Sequence, residues 1–298
     1  MLSKYAPLKK IIYQIGLIYL LLLVVYNSYG QSFYNQGGSY KPKIGGARIS
    51  TAITAGFGAN YYVGDLTDNS FSSGIKISPN FSAGLQQRIS DRIHLRAELL
   101  WYQIAGADSL SNEFGKVERN LSFRARNLEL SFVGIFHFIN KSSNAGGRAG
   151  FVPFAVFGIG VTTNDPKAEL NGDLYSLRPL ALEGEQYGKY AFVMPMGGGV
   201  RAKINEAFDV SLEGSYRVTF TDYLDDVSKV YVQHNEFPSV ALSDRSVTQP
   251  KLIGDQRGDP NNMDGYFIMS LKVQYYLPND LFSSGISLKP RSKGKAQR

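Results

Sequence analysis

Apolar and polar positions alternate with a period of two in eight segments of this chain, the period of a strand whose two faces meet different surroundings. The beat is cleanest in Ile93–Tyr102, where the odd positions are apolar and His94, Arg96, Glu98 and Tyr102 occupy the other face. The first strand predicted is Ile53–Tyr62, with Ile53, Ala55, Phe57, Ala59 and Tyr61 opposed to Thr54, Gly56, Gly58 and Asn60. Asn80–Ile89 is the second, and only Ser90, Asp91 and Arg92 separate it from the third at Ile93, a tight hairpin connection. The others are Asn127–Phe138, Phe151–Val161, Phe192–Ile204, Phe208–Phe220 and Tyr266–Leu277. Phe151–Val161 is almost wholly apolar, so its pattern says least. Gly197, Gly198 and Gly199 are expected to interrupt the sixth strand.

This beat suits a membrane barrel with lipid outside and a polar lumen. It suits equally a soluble barrel with its oily face inward. The connections discriminate between them. Those after the second, fourth and sixth strands are short or moderate (90–92, 139–150 and 205–207). Those after the first, third, fifth and seventh are long (63–79, about 105–122, 162–190 and 221–265). Short periplasmic turns and long external loops produce this sorting in an outer-membrane barrel. Residues 105–127 and 221–265 have room to extend the wall above the membrane.

The N-terminus agrees. Lys4, Lys9 and Lys10 precede an apolar run from Ile11 to Tyr26, and Ser28 and Gly30 supply small residues before Gln31. This is the pattern of a cleavable secretory signal. The expected organisation is a signal peptide at 1–30, a flexible segment at 31–49, a barrel at 50–277 and a basic tail at 278–298. The fold class expected is all-β: an eight-stranded antiparallel up-and-down transmembrane barrel, with both termini in the periplasm.

Composition narrows the chemistry. Cysteine is absent, which removes disulfides, thiol catalysis and lipid attachment after the leader. Three lysines of the leader account for part of the formal +7, leaving +4. Much of that excess is in the tail, at Lys289, Arg291, Lys293, Lys295 and Arg298, a candidate contact for an acidic periplasmic partner or simply a solvated end. Nucleic acid is not an expected partner; outer-membrane lipids are.

Eight strands enclose a lumen that side chains fill. The inward positions include Arg88, Arg96, Glu98, Glu129, Arg201, Lys203, Glu213, Arg217 and Lys272, with both signs mixed. Charges withdrawn from water need partners, so a lumenal salt-bridge network is the expected reading; a conduction path is the alternative. In the loops, Asp222, Asp225 and Asp226 offer hard oxygen ligands suited to calcium, without EF-hand spacing. Asp255, Asp259 and Asp264 add carboxylates in no recognised ligand pattern. Arg257-Gly258-Asp259 is an adhesion-like tripeptide too short to carry weight. His94, His137 and His234 have no metal or triad spacing. The glycine run lacks the Lys-Ser/Thr pair of a phosphate loop. No catalytic residue, cofactor site or metal site is assigned.

Three stretches carry a resemblance. Tyr61-Tyr62-Val63-Gly64-Asp65-Leu66, Ser122–Leu130 and Tyr187–Ser228, the last including Thr221-Asp222-Tyr223-Leu224-Asp225-Asp226, resemble the PorG family of outer-membrane β-barrels. The resemblance covers residues 50–277. It implies a non-enzymatic component of the type IX protein secretion system, which also serves gliding motility. It further implies an anchoring or assembly role toward the periplasmic ring built by a lipoprotein and its partner subunit. The family supplies no catalytic residues. Two other classes stay open: a general small structural barrel of the OmpA type or surface adhesin, and a lipid-modifying barrel enzyme.

Overall fold

The computed structural model describes residues 51–67, 76–139 and 150–277. The expected signal peptide, the N-terminal segment and the basic tail lie outside them. Ten strands form one antiparallel sheet: β1 (Thr51–Val63), β2 (Ser78–Arg88), β3 (Ile93–Ala107), β4 (Ser122–His137), β5 (Phe151–Thr163), β6 (Lys167–Leu170), β7 (Asp173–Ser176), β8 (Tyr190–Lys203), β9 (Phe208–Thr219) and β10 (Gly265–Tyr276). Eight of them pair in the order β3-β2-β1-β10-β9-β8-β5-β4, and β3 pairs with β4 to close the ring. β6 and β7 are a hairpin inside the third long connection, joined to the wall by the pair Arg124↔Lys167.

Closure removes every free sheet edge from the wall. Burial shows which face of the beat is inside. Thr54, Asn60, Asn80, Gln86, Arg96, Glu98, Glu129, Ser131, Ser211, Glu213, Arg217 and Lys272 are buried, whereas Ile53, Phe57, Phe81, Leu85, Leu95, Leu99, Leu130, Phe132, Ile159, Phe192, Leu212 and Met269 are exposed. A water-soluble barrel would bury the second set. An exterior this apolar around a polar interior is the organisation of a transmembrane β-barrel. Among the described residues no helix is long and apolar enough to cross a membrane.

Rings gather at the two edges of the apolar belt. Tyr61 stacks on Phe267 at 5.4 Å and Phe81 lies 5.8 Å from Trp101 toward the long-loop end. Phe136 contacts Phe138 at 5.5 Å and Phe208 contacts Tyr275 at 5.0 Å toward the short-turn end. From Phe267 to Tyr275 is a path of about 26 Å at strand rise, or about 20 Å along the axis of a tilted wall, near the height of a lipid-facing band.

Residues 105–127 do extend the wall in part, and one expectation about a strand changes. β3 and β4 run past the belt to Ala107 and back from Ser122, extending the wall. The glycine run does not interrupt β8: Gly197↔Ser215, Gly198↔Gly214 and Gly199↔Glu213 stay in register with β9. A Cβ on Gly199 would lie 2.7 Å from the ring of the inward Phe154 and against the Leu212 carbonyl. The glycine therefore makes room for a neighbour without breaking the strand.

Candidate functional site: a charged lumen beneath a cap

The middle of the lumen holds two cations and two carboxylates. Arg96 donates to both oxygens of Glu213 at 2.7 and 2.9 Å and its Nε lies 3.0 Å from Glu98. Lys272 donates to Glu98 at 2.8 and 2.6 Å and to Glu213 at 3.0 Å. None of the four side chains is more than 3 % exposed. Alternation on β3, β9 and β10 points all four inward. A Cβ on Gly56, opposite Lys272 on β1, would lie 2.9 Å from Lys272 Cγ and 2.6 Å from Ser82 Oγ, so the missing side chain is what lets the lysine cross the lumen.

Toward the long-loop end, Glu129 accepts from Arg217 Nε at 3.4 Å and from the Tyr266 hydroxyl at 2.8 Å. Tyr266 stacks on Tyr102 at 4.5 Å. Toward the short-turn end, Arg201 Nε lies 3.6 Å from Asp209, an acidic partner that the sequence reading missed because only the β8–β9 pairing brings the two together. His94 and His137 meet there with ring centroids 4.4 Å apart, while His234 stands elsewhere, within 3.0 Å of the Leu182 carbonyl.

Two of the nine predicted lumenal charges fall outside this arrangement. Arg88 pairs with Asp91 across the first tight turn, and Lys203 pairs with Glu206 across the third. Both sit where a strand leaves the wall, and each turns to the acid of its own turn, although Arg88 stands opposite His94 and Lys203 opposite Asp209 in register. Lys289, Arg291, Lys293, Lys295 and Arg298 lie outside the described residues.

Over the other mouth of the barrel, the long connections fold into a cap with its own core. They include α1 (Phe114–Arg119), the β6–β7 hairpin and α2 (Ser239–Ser243). Leu66, Leu121, Leu177, Leu182, Leu224, Val227 and Leu242 from the connections pack with Tyr62, Leu100, Ile104, Val193 and Ile268 of the wall. Each Leu-sized side chain buried this way contributes about 1.5–3 kcal/mol. Nothing in the beat announces this core, because loop residues bury by position and not by period.

Two arginines tie the cap. Arg119 grips Asp108 through Nε at 2.7 Å and Nη2 at 2.8 Å, and also donates to the carbonyls of Asp65 (3.1 Å) and Arg257. Arg257 donates to Glu183 at 2.9 Å and to the Asp226 carbonyl. Glu183 in turn accepts from the Ser228 and Lys229 amides. Arg257 is 2 % exposed, so its adhesion-like tripeptide is not presented to a partner.

Parts of the three stretches that carry the resemblance meet here, and Tyr62 lies edge-on to Phe123 at 4.9 Å. Tyr62 donates to Asp225 at 2.7 Å and to Asp264; Tyr187 donates to Asp226 at 2.7 Å and stacks on Tyr223 at 4.8 Å. Burial, reinforced by Asp65 and Glu183, pushes the Asp222 carboxyl up to about 7. Burial lifts Asp226 to about 6 despite Arg257, and raises Asp225 and Asp264 well above the carboxylate range, each further raised by a neighbouring aspartate. Asp225 and Asp226 are thus engaged by an amide, phenols and Arg257, whereas Asp222 is buried with no amide, phenol or arginine on its carboxyl oxygens, the Ser228 side chain being its polar neighbour. Among the described residues no group of three or more His, Cys, Asp or Glu is arranged to hold a metal ion.

A family model described as Domain of unknown function (DUF6089) matches residues 47–243. No curated protein matches the chain. Similar solved structures include the N-terminal β-barrel domain of Pseudomonas aeruginosa OprF (9 % identity, 76 % of this chain and 97 % of that one, TM-score 0.36). Neisserial surface protein A is another (12 % identity, 76 % and 96 %, TM-score 0.36). A third is Ail, the attachment invasion locus protein of Yersinia pestis, in complex with the heparin analogue sucrose octasulfate (10 % identity, 77 % and 99 %, TM-score 0.38). At these TM-scores the architecture rests on the strand pairing of the chain itself.

Proposed function

This chain belongs to the family described as Domain of unknown function (DUF6089), and from that premise we propose that it is a non-enzymatic outer-membrane anchor for the periplasmic ring of the type IX secretion machinery. The carrying observation is a lumen filled by paired, buried charges beneath a folded cap. Such a barrel has no path for folded cargo, and opening one would break ion pairs in a medium where unpaired charge is costly. What remains for it to do is hold a position in the membrane and present its rims. Type IX secretion itself is supported by the resemblance of Tyr61–Leu66, Ser122–Leu130 and Tyr187–Ser228 to PorG-type barrels. Tyr61–Leu66 and Ser122–Leu130 lie at the cap and its junction with the wall, while Tyr187–Ser228 runs down β8 and back up β9. The ring contact is sought at the periplasmic end, at the connections 90–92, 139–150 and 205–207, and at the basic tail with Lys289, Arg291, Lys293, Lys295 and Arg298.

The test is co-purification. Tagged protein solubilised in mild detergent brings down the ring lipoprotein and its partner subunit, and deletion of residues 279–298 weakens that recovery. A bare barrel, with cargo secretion intact after gene deletion, refutes the anchoring role and favours a general structural barrel or adhesin. Lipid turnover lost on substitution of a cap serine or histidine would instead establish an enzyme.

A further inference from the structure

Most of the wall ends near the upper edge of the apolar belt, but β3, β4 and the added strand β6 stand above it. The register there is Trp101↔Leu128, then Gln103↔Arg126, Ala105↔Arg124, and Arg124↔Lys167. Alternation puts Leu128, Arg126 and Arg124 on one outward face, and Arg124, Arg126 and Lys167 are all exposed. Two residues of strand rise about 6.6 Å, or about 5 Å along the axis of a wall tilted like other transmembrane barrels. Arg126 therefore lies about 5 Å and Arg124 about 10 Å above the lipid-facing Leu128, the depth at which hydrocarbon gives way to headgroups.

We infer that Arg124, Arg126 and Lys167 form a docking surface for the phosphate groups of lipids in the leaflet at the long-loop end. The inference rests on the membrane-barrel reading and goes beyond it by naming a lipid chemistry and a side of the barrel. A guanidinium presents a fork that matches two phosphate oxygens. The local acids leave that fork available. Arg126 Nε donates to Gln103 at 3.4 Å, a neutral partner. Arg124 makes no ion pair among the described residues, and Lys167 lies 3.6 Å from Asp165, at the long end of contact. The arginines also continue the lipid-facing row of Leu128 and Leu130, so whatever covers that row reaches them with its polar end. This continuity favours a lipid headgroup over a soluble anion.

The experiment titrates the folded barrel in neutral detergent micelles with diphosphorylated lipid A, with the same lipid stripped of phosphate, and with inorganic phosphate. Trp101, the sole tryptophan and the outward neighbour of Leu128, reports binding. A basic side chain at an anionic surface contributes about fivefold, so the three together predict about 100-fold preference for the phosphorylated lipid, lost in R124A/R126A/K167A and kept in K203A at the other rim. Equal affinity for the two lipids in the unaltered protein overturns the inference, whatever the variants do. Saturation by inorganic phosphate at the same concentration overturns it in favour of a free-anion site. Failure of the unaltered protein to insert into phosphatidylcholine vesicles, read by Trp101 emission, would instead remove the membrane reading. Insertion without phosphate preference removes only the lipid inference.

Discussion

Glu213→Gln is the sharpest perturbation of the lumen. Glu213 accepts two bonds from Arg96 and one from Lys272 at 2.7–3.0 Å, and the four-charge cluster is neutral only while both carboxylates are present. With an effective dielectric of about 20 and charge centres about 4 Å apart, each lost attraction is about 4 kcal/mol. The two losses are offset because Glu213 no longer has to be desolvated and the amide oxygen still accepts one bond. A net loss of about 3–5 kcal/mol follows, the range seen when one partner of a buried pair is removed. Adding Lys272→Met leaves Arg96 with Glu98 and restores neutrality, so the double variant should recover about 1–3 kcal/mol relative to the sum of the single changes. Urea titration in phospholipid bilayers, followed by Trp101 emission and by heat-modifiable migration, measures both. A single variant within about 1 kcal/mol of the parent, or a strictly additive double variant, would refute the claim that the cluster works as a unit.

Gly56→Leu, which thrusts a side chain into the path of Lys272, should cost about 1–3 kcal/mol by overpacking in the same titration. Tyr62→Phe removes the donor shared by Asp225 and Asp264; at about 1–3 kcal/mol per orphaned buried group, limited proteolysis should cut the cap sooner while the wall stays heat-modifiable. The carboxyls of Asp222 and Asp226 hold their protons to about 7 and about 6 in the folded cap, against an ordinary 3.8. The unfolded chain therefore releases these protons first, and the part of cap stability carried by these two groups falls as pH rises from about 4 to about 7, with the raised Asp225 and Asp264 carboxyls acting in the same direction. Hydrogen exchange of cap amides should be slower at pH 5 than at pH 8 after correction for intrinsic rates. In planar bilayers the intact barrel should show no steady conductance; ohmic channels would contradict a filled lumen.

The alternation in segments such as Ile93–Tyr102 reveals strand, face and spacing, because side-chain direction in a strand is local and repeats every two residues. Loop lengths reveal the two ends of the barrel for an equally local reason. The alternation alone is ambiguous about inside and outside; the sorted loop lengths point to an oily exterior, and the burial of Arg96, Glu98, Glu213 and Lys272 against the exposure of Leu95, Leu99 and Leu212 shows it. The lumenal charges are legible as a set, but not as pairs. Glu98 and Lys272 stand 174 residues apart, and only ring closure and register place them across one narrow lumen. Asp209 escapes notice because its partner Arg201 lies on the neighbouring strand. Arg88 and Lys203 mislead because the period continues up to the residue where the wall stops.

The cap shows the limit most clearly. Tyr62, Asp65, Asp225 and Asp264 read as motif fragments and loop acids, yet Tyr62 and the last two form one hydrogen-bonded knot, and Arg119 binds the Asp65 backbone to Asp108. Irregular segments bury side chains through contacts between distant connections, and such contacts have no period to read. The sequence by itself determined a barrel wall with an oily face and a charged face. Tertiary structure decided which charges neutralise one another, and that the long connections cover the mouth, because both depend on distances across the closed ring.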